Sequence, residues 1–236
     1  FTIKKMIISI IIPTLNEEGN IIKLYETLRK KLNISNYEVI YIDDNSNDKT
    51  QSKILLLNKK RKNVKFKFRK ERNLSTAFLD GVKISRGKYI VLMDADLQHH
   101  PEDINKLFKE IKKNDLDFVI GSRFLKNSSN YSKSLKSVVR LFLSKLFIAI
   151  INYLFKLNLT DPLAGFFICK RKSLKNNNLL YKKGFKILLD YLIVNRKKIK
   201  LKEVPIKVNK RHQGNSKLNI KIFLLFVRQC FFHLLK

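Results

Sequence analysis

Cysteine is almost missing from this chain. Its 236 residues hold two, Cys169 and Cys230, far apart and without metal-ligand spacing. That argues against a disulfide framework and fits a reducing cytosol. The histidines His99, His100, His212 and His233 also lack metal spacing and read as incidental. No Gly-x-Gly-x-x-Gly is present. Gly81 to Lys88 approaches a P-loop but has one spacer too many, with Tyr89 where Ser or Thr is required. Dinucleotide oxidoreductases and P-loop NTPases are therefore poor readings. No internal repeat and no linker marks a second domain. The first apolar run is a short strand closing on Pro13, with no small-residue cleavage site, so no secretory signal is visible. Long hydrophobic runs are scarce too. Ile220 to Leu235 is very apolar but is interrupted by Arg228, and is too short for a membrane span. Lys221 and Arg228 share a face, which points to an interfacial helix.

Acid is the other shortage. Lys and Arg number 50 against 19 Asp and Glu, a net charge of +31. An excess of this size suits nucleic acid, an anionic membrane surface or a phosphorylated substrate. It also suits an AT-rich coding bias, because Lys, Asn, Ile and Phe are all plentiful. The lysines are spread along the whole chain, which favours the bias, with the residue of charge favouring anionic lipid. The runs Lys59 to Lys62 and Arg196 to Lys198 read as solvated faces.

What is present is a regular alternation. The hydrophobic share of 44% excludes disorder, and the length suits one α/β domain. Met6 to Ile12 reads as a central strand that stops at Pro13, with Asn16 as a helix cap. Ile21, Leu24, Leu28 and Leu32 repeat at helical spacing. Tyr37 to Ile42 is a second strand, followed by a helix from Asn47 to about Arg61. Val64 to Phe68 alternates like a half-exposed strand. Leu74 to Ser85 and Pro101 to Asn114 read as helices around a strand at Tyr89, and Phe118 to Ile120 as a further strand. The expected fold is a doubly wound, largely parallel sheet. Beyond Phe124 come a polar loop over Lys126 to Lys136 and a long helix from Ser137 to Phe155. A turn at Thr160 to Gly165, a strand at Phe166 to Cys169, a helix at Phe185 to Val194 and an edge strand over Lys200 to Val208 follow. The expected division is a domain over 1–218 and an amphipathic helix over 219–236.

The chemistry concentrates after Tyr89. Tyr89 to Met93 is a buried strand pattern, and two carboxylates follow it. In extended backbone residues i and i+2 point to one side, so Asp94 and Asp96 can converge on one hard cation, with Gln98 adding a neutral oxygen. Such oxygens suit Mg²⁺ or Mn²⁺ shared with substrate phosphates. Ligands of open α/β sheets also sit beyond the carboxyl ends of strands, where these residues lie.

Five ordered segments carry a resemblance: Pro13 to Glu17, Asp43 to Ser46, Asp94 to Gln98, Gly121 to Arg123, and Arg211 to Lys217. Together they resemble the dolichol-phosphate mannose synthases, inverting glycosyltransferases of the GT-A fold. The resemblance runs from Met6 to about Leu218. It implies that Pro13, Leu15, Glu17, Ile42 and Asp44 face the donor's base and ribose, with Leu15 standing where Tyr is usual. It implies that Asp94, Ala95 and Asp96 contact the donor diphosphate, that Asp94, Asp96 and Gln98 hold the metal, and that Lys186 adds a donor-side contact. It assigns the acceptor phosphate to Arg123, Arg140, Ser144 and Arg211, with Asp96 and the three arginines as the catalytic set. Ala164 replaces a common Ser. The implied reaction moves mannose from GDP-mannose to dolichyl or polyprenyl phosphate at the cytoplasmic face of a membrane. A UDP-sugar donor is the alternative within the class. A basic nucleic-acid-binding module is the alternative outside it, and it leaves the five ordered motifs unexplained.

Overall fold

The computed structural model describes residues 6–130, 135–174, 180–181, 183–184, 186–195, 198–209 and 220–235, and only the backbone of 129–130, 135–140 and 220–222. The elements in the first half are β1 (Ile8–Thr14), α1 (Ile21–Lys31), β2 (Tyr37–Asp43), α2 (Thr50–Lys60), β3 (Val64–Phe68), α3 (Leu74–Ile84), β4 (Tyr89–Leu92), α4 (Asp103–Lys113) and β5 (Phe118–Ser122). The second half holds β6 (Ser129–Asn130), α5 (Leu135–Phe155), β7 (Phe167–Lys170), α6 (Ile187–Asn195), β8 (Leu201–Pro205), β9 (Lys207–Val208) and α7 (Ile220–Leu234).

Seven strands form one sheet in the order β3-β2-β1-β4-β7-β5-β8. Its pairs are parallel except those of β7, which runs antiparallel between β4 and β5. The alternation in β1 shows why the sheet is covered on both faces. Ile8, Ile10 and Ile12 enter a core with α1, α2 and α4, while Ile11 enters a second core with α3 and α6. Each is fully buried, a gain of about 1.5–3 kcal/mol per side chain. The chain winds outward from β1 to β3 and then returns to place β4 on the other flank of β1. The order reverses between β1 and β4, and the carboxyl ends of the strands at such a reversal are where open α/β sheets take their ligands.

Three local expectations change. Asn16 does not cap α1; it lies in the left-handed region (φ 52°), and the helix begins after Asn20. Its N–H donates to Ser46 Oγ at 2.8 Å and its Oδ1 accepts from Asn47 N–H at 2.9 Å. It therefore ties the loop after β1 to the loop after β2. The expected edge strand over Lys200 to Val208 is broken at the buried Ile206 into β8, on the main sheet, and β9, which pairs with β6. The expected polar loop over Lys126 to Lys136 contains β6, and α5 starts at Leu135 rather than Ser137.

α7 lies against α5 and α6. Phe226 and Cys230 share a small core with Ile151, Phe155 and Leu189. The outer faces leave Phe142, Tyr153, Leu224, Phe231 and Leu235 exposed. No helix among the described residues is long and apolar enough to cross a membrane.

Candidate active site

The ends of β1, β2 and β4 and the turn that enters β7 lie at one rim of the sheet. Asp94 and Asp96 follow β4 but do not extend it: Ala95 and Asp96 lie in a turn, and the two acids are not equivalent. The Asp94 side chain is 48% exposed, whereas Asp96 is buried. Asp96 Oδ1 accepts the N–H of Gln98 at 3.1 Å, an Asx turn made possible by Leu97 at φ 61°. Gln98 leans toward Asn209: its backbone oxygen accepts Asn209 N–H at 2.9 Å, and its Nε2 donates to Asn209 O at 3.4 Å. Ala95 is buried between the two acids.

The donor set fits a hard cation. Asp94 offers half-exposed carboxylate oxygens beyond β4, Asp96 adds a buried carboxylate whose Oδ1 accepts from Gln98 N–H, and Gly165 keeps space beside Asp94. A Cβ at Gly165 would lie 3.3 Å from Asp94 Oδ2. Among the described residues no cluster of three His, Cys, Asp or Glu side chains could hold a metal alone. A two-acid site of this kind suits a Mg²⁺ or Mn²⁺ ion that takes its other ligands from substrate phosphate and water.

Arg123, beyond β5, faces this centre. Its Nε and Nη2 donate to Asp161 Oδ2 and Oδ1 at 2.7 and 2.9 Å, a two-point fork 38 residues apart in sequence. Burial works against the guanidinium charge, but Asp161 and then Asp94 outweigh it and hold the Arg123 pKa above its ordinary value. Asp161 itself is fully buried. Its turn is clamped by Glu203 of β8, which accepts the N–H groups of Thr160 and Asp161 at 2.8 and 2.7 Å and the Thr160 hydroxyl at 2.9 Å.

The same short turn meets Lys186, whose Nζ donates to Leu163 O at 2.8 Å. Thr160, Asp161, Leu163 and Gly165 therefore reach Glu203, Arg123, Lys186 and Asp94 in turn. Ala164, in the usual place of Ser, is buried in the core.

The donor-side residues fall at the ends of β1 and β2. Pro13 and Leu15 are partly exposed at the rim. Glu17 is buried, its Oε2 accepting from Asn20 Nδ2 at 2.6 Å, while its own N–H donates to Thr50 Oγ1. The Ile42 side chain is fully buried in the core, and its strand pairs with β1 and β3 on either side. Asp44 is held by Arg69 Nη1 at 2.9 Å and by Asn73 N–H at 2.8 Å. Burial pushes its carboxyl up to about 6, with Arg69 and the Asn73 N–H pulling the other way. Neighbouring Asp43 is structural: it accepts from Thr14, Ser46 and Gln51.

Ser144 is partly exposed on α5, one helical turn beyond Arg140, so the two positions share a face. The side chain of Arg140 and all of Arg211 lie outside the described residues.

Asp161, Gly165, Glu203 and His99 escape the sequence reading. His99 is buried, stacks on Phe166 at 4.9 Å, and carries Nε2 3.9 Å from Asp94 Oδ2. Burial pushes its pKa down to about 4 against the pull of Asp96, so the ring is neutral near pH 7. The one sequence signal was an Asp-Pro step closing on Gly165; nothing local pairs Asp161 with Arg123.

Comparisons with known proteins bear on the family and the fold. The family model described as glycosyl transferase family 2 matches residues 9–177. A dolichol-phosphate mannosyltransferase of Pyrococcus furiosus is 36% identical over 96% of this chain, which spans 63% of that protein's length. One from Saccharomyces cerevisiae is 32% identical over 94% of this chain and 84% of its own. A crystal structure of glucosyl-3-phosphoglycerate synthase from Mycobacterium tuberculosis, with Mn²⁺, UDP-glucose and phosphoglyceric acid, shares the fold. Its TM-score is 0.69 at 15% identity, covering 96% of this chain and 80% of that one. The expected α/β architecture of GT-A type is thus the observed one, and the chain belongs to glycosyl transferase family 2.

Proposed function

We propose that this chain transfers mannose from GDP-mannose to a polyprenyl phosphate, with inversion at the anomeric carbon and in a metal-dependent way. The observation that carries this reading is one short turn that holds Arg123 through Asp161 and borders Asp94 through Gly165, an acid for a cation near a cation for a phosphate. Relatives named dolichol-phosphate mannosyltransferase support the lipid acceptor and the sugar.

Asp94 and Asp96 would hold the divalent ion, with Gln98 at its edge. Such an ion supplies charge neutralisation for the departing diphosphate. Glu17 and Asp44 accept hydroxyl hydrogen bonds from the nucleoside, and Lys186 reaches the donor from the opposite wall. Arg123, with Arg140, Ser144 and Arg211, holds the acceptor phosphate in line with the anomeric carbon. That phosphate has a second pKa of about 6, so it is mostly dianionic at neutral pH and attacks without a protein base. Positioning and charge do the catalysis.

The apolar outer faces of α5 and α7 and the basic balance suit the cytoplasmic surface of an anionic membrane, with 219–236 as the interfacial helix. Donor profiling tests the proposal: GDP-mannose, UDP-glucose and other nucleotide sugars are offered with polyprenyl phosphate, with and without chelator. Transfer from GDP-mannose that stops on chelation is expected. Transfer from UDP-glucose alone would replace the sugar, and transfer undiminished by chelator would remove the metal.

A further inference from the structure

The seat of α7 contains a buried polar cluster that the proposed chemistry does not use. Asp190 of α6 is fully buried. Its Oδ1 accepts from Gln229 Nε2 at 2.7 Å and lies 2.6 Å from His233 Nε2, both on α7. Gln229 is fully buried as well. The same Nε2 donates its second hydrogen to the backbone oxygen of Lys186 at 3.0 Å. One carboxamide nitrogen thus ties α7 both to α6 and to the segment leading into it. Two residues before Lys186, Gly184 has no room for a side chain: a Cβ there would stand 2.6 Å from Gln229 Oε1. Gln229 is therefore held against Gly184 by contact and against Lys186 by hydrogen bonding.

Lys186 then passes the constraint on. Its ammonium rests on Leu163 O, and Leu163 packs against the small core that α7 shares with α5 and α6. Two residues later Gly165 borders Asp94. A neutral carbonyl is a weaker partner for an ammonium than a phosphate oxygen, so a bound diphosphate can draw Lys186 off Leu163 without moving its backbone.

We infer that Gln229 is a positioning residue for donor binding, setting from α7 where the Lys186 ammonium stands. This rests on the donor-side role proposed for Lys186. A purely structural glutamine would only fasten α7 to α6, and any apolar residue of its size could pack there. The double donation to Asp190 and to Lys186 O is what a leucine cannot supply.

The test is a double-mutant cycle on the full chain: Gln229→Leu, Lys186→Ala and the pair. Calorimetry reads the affinity for GDP and for UDP, each with Mn²⁺, and melting is followed in parallel. Each single variant is expected to weaken nucleotide binding about tenfold, and the pair no more than either. Multiplying effects, or a lowered melting point with unchanged affinity in Gln229→Leu, would overturn the inference. Weakened binding in Lys186→Ala beside wild-type affinity in Gln229→Leu would also overturn it while leaving Lys186 its donor role. Unchanged binding in Lys186→Ala would remove that role and the inference with it. Gln229→Asn, shorter by one methylene and still polar, carries the same cycle if the leucine variant does not fold.

Discussion

The loop after β4 and the turn before β7 meet at the same rim of the sheet but are built in opposite ways. The first carries its chemistry in five consecutive residues, Asp94 to Gln98, and its internal hydrogen bond spans two positions. The second carries almost none on its own. Asp161, Leu163 and Gly165 matter because of Arg123, Lys186 and Asp94, which reach them from 38 residues before, 23 after, and across β4. A site of local origin can be changed one residue at a time. A site assembled from distant elements couples binding to stability, since its members hold the fold as well as the ligand.

Four experiments sharpen or break that contrast, from the largest effect to the smallest. Asp96→Ala should lower transfer by roughly a thousandfold or more, with little change in melting, since only the local loop is lost. Steady-state rates and calorimetry on the same preparation check both halves. Asp161→Ala should do both kinds of damage: a loss of about 1.5–3 kcal/mol in stability from the lost charge-assisted hydrogen bonds to a partly exposed Arg123, and about a hundredfold in rate as Arg123 loses its brace. Denaturant unfolding beside kinetics would show it, and a slow but fully stable variant would contradict the coupling. Gly165→Ala should slow transfer by about tenfold, because the new methyl crowds Asp94 Oδ2. Its melting should stay close to wild type.

The smallest effect is in pH. Asp44 is raised to about 6, so the folded chain holds this proton more tightly than the unfolded chain does. The shift favours the fold at low pH, and that contribution fades as pH rises through about 6. The carboxylate proposed to accept from the nucleoside appears over the same interval. The donor KM should therefore rise several-fold as pH falls below about 6, and this limb should vanish in Asp44→Asn. A KM that is flat across pH 5–7 in the wild-type chain would deny Asp44 that contact.

The sheet was legible where burial writes a simple pattern. The apolar runs of β1, β2 and β4 and the helical repeat of α1 appear as expected. Asp94 and Asp96 were legible as acids just past a buried strand, but their setting was not, because β4 ends at Leu92 and the extended-backbone rule ends with it. Asn16 misled, since Asn serves equally as a helix cap or a left-handed turn residue, and only the loop after β2 decides. The direction of β7 was not legible, because an apolar tetrapeptide reads the same in either direction. Ile42 shows the limit of transferring a role by resemblance: the position matches, yet the side chain is core. Asp161 and Glu203 required the fold itself, for no periodicity links residues on β8 to a turn 42 positions earlier.

The reversal of β7 has an architectural outcome. β5 leaves the rim at Ser122, and the chain comes back to the same rim at Thr160, where the two hydroxyls stand 2.6 Å apart. Everything between them is an excursion with its ends stapled together, and it includes all of α5. Such a cassette can be exchanged or rewritten while β1, β2 and β4 keep their places. One nucleotide-binding half could in this way be matched to many acceptors.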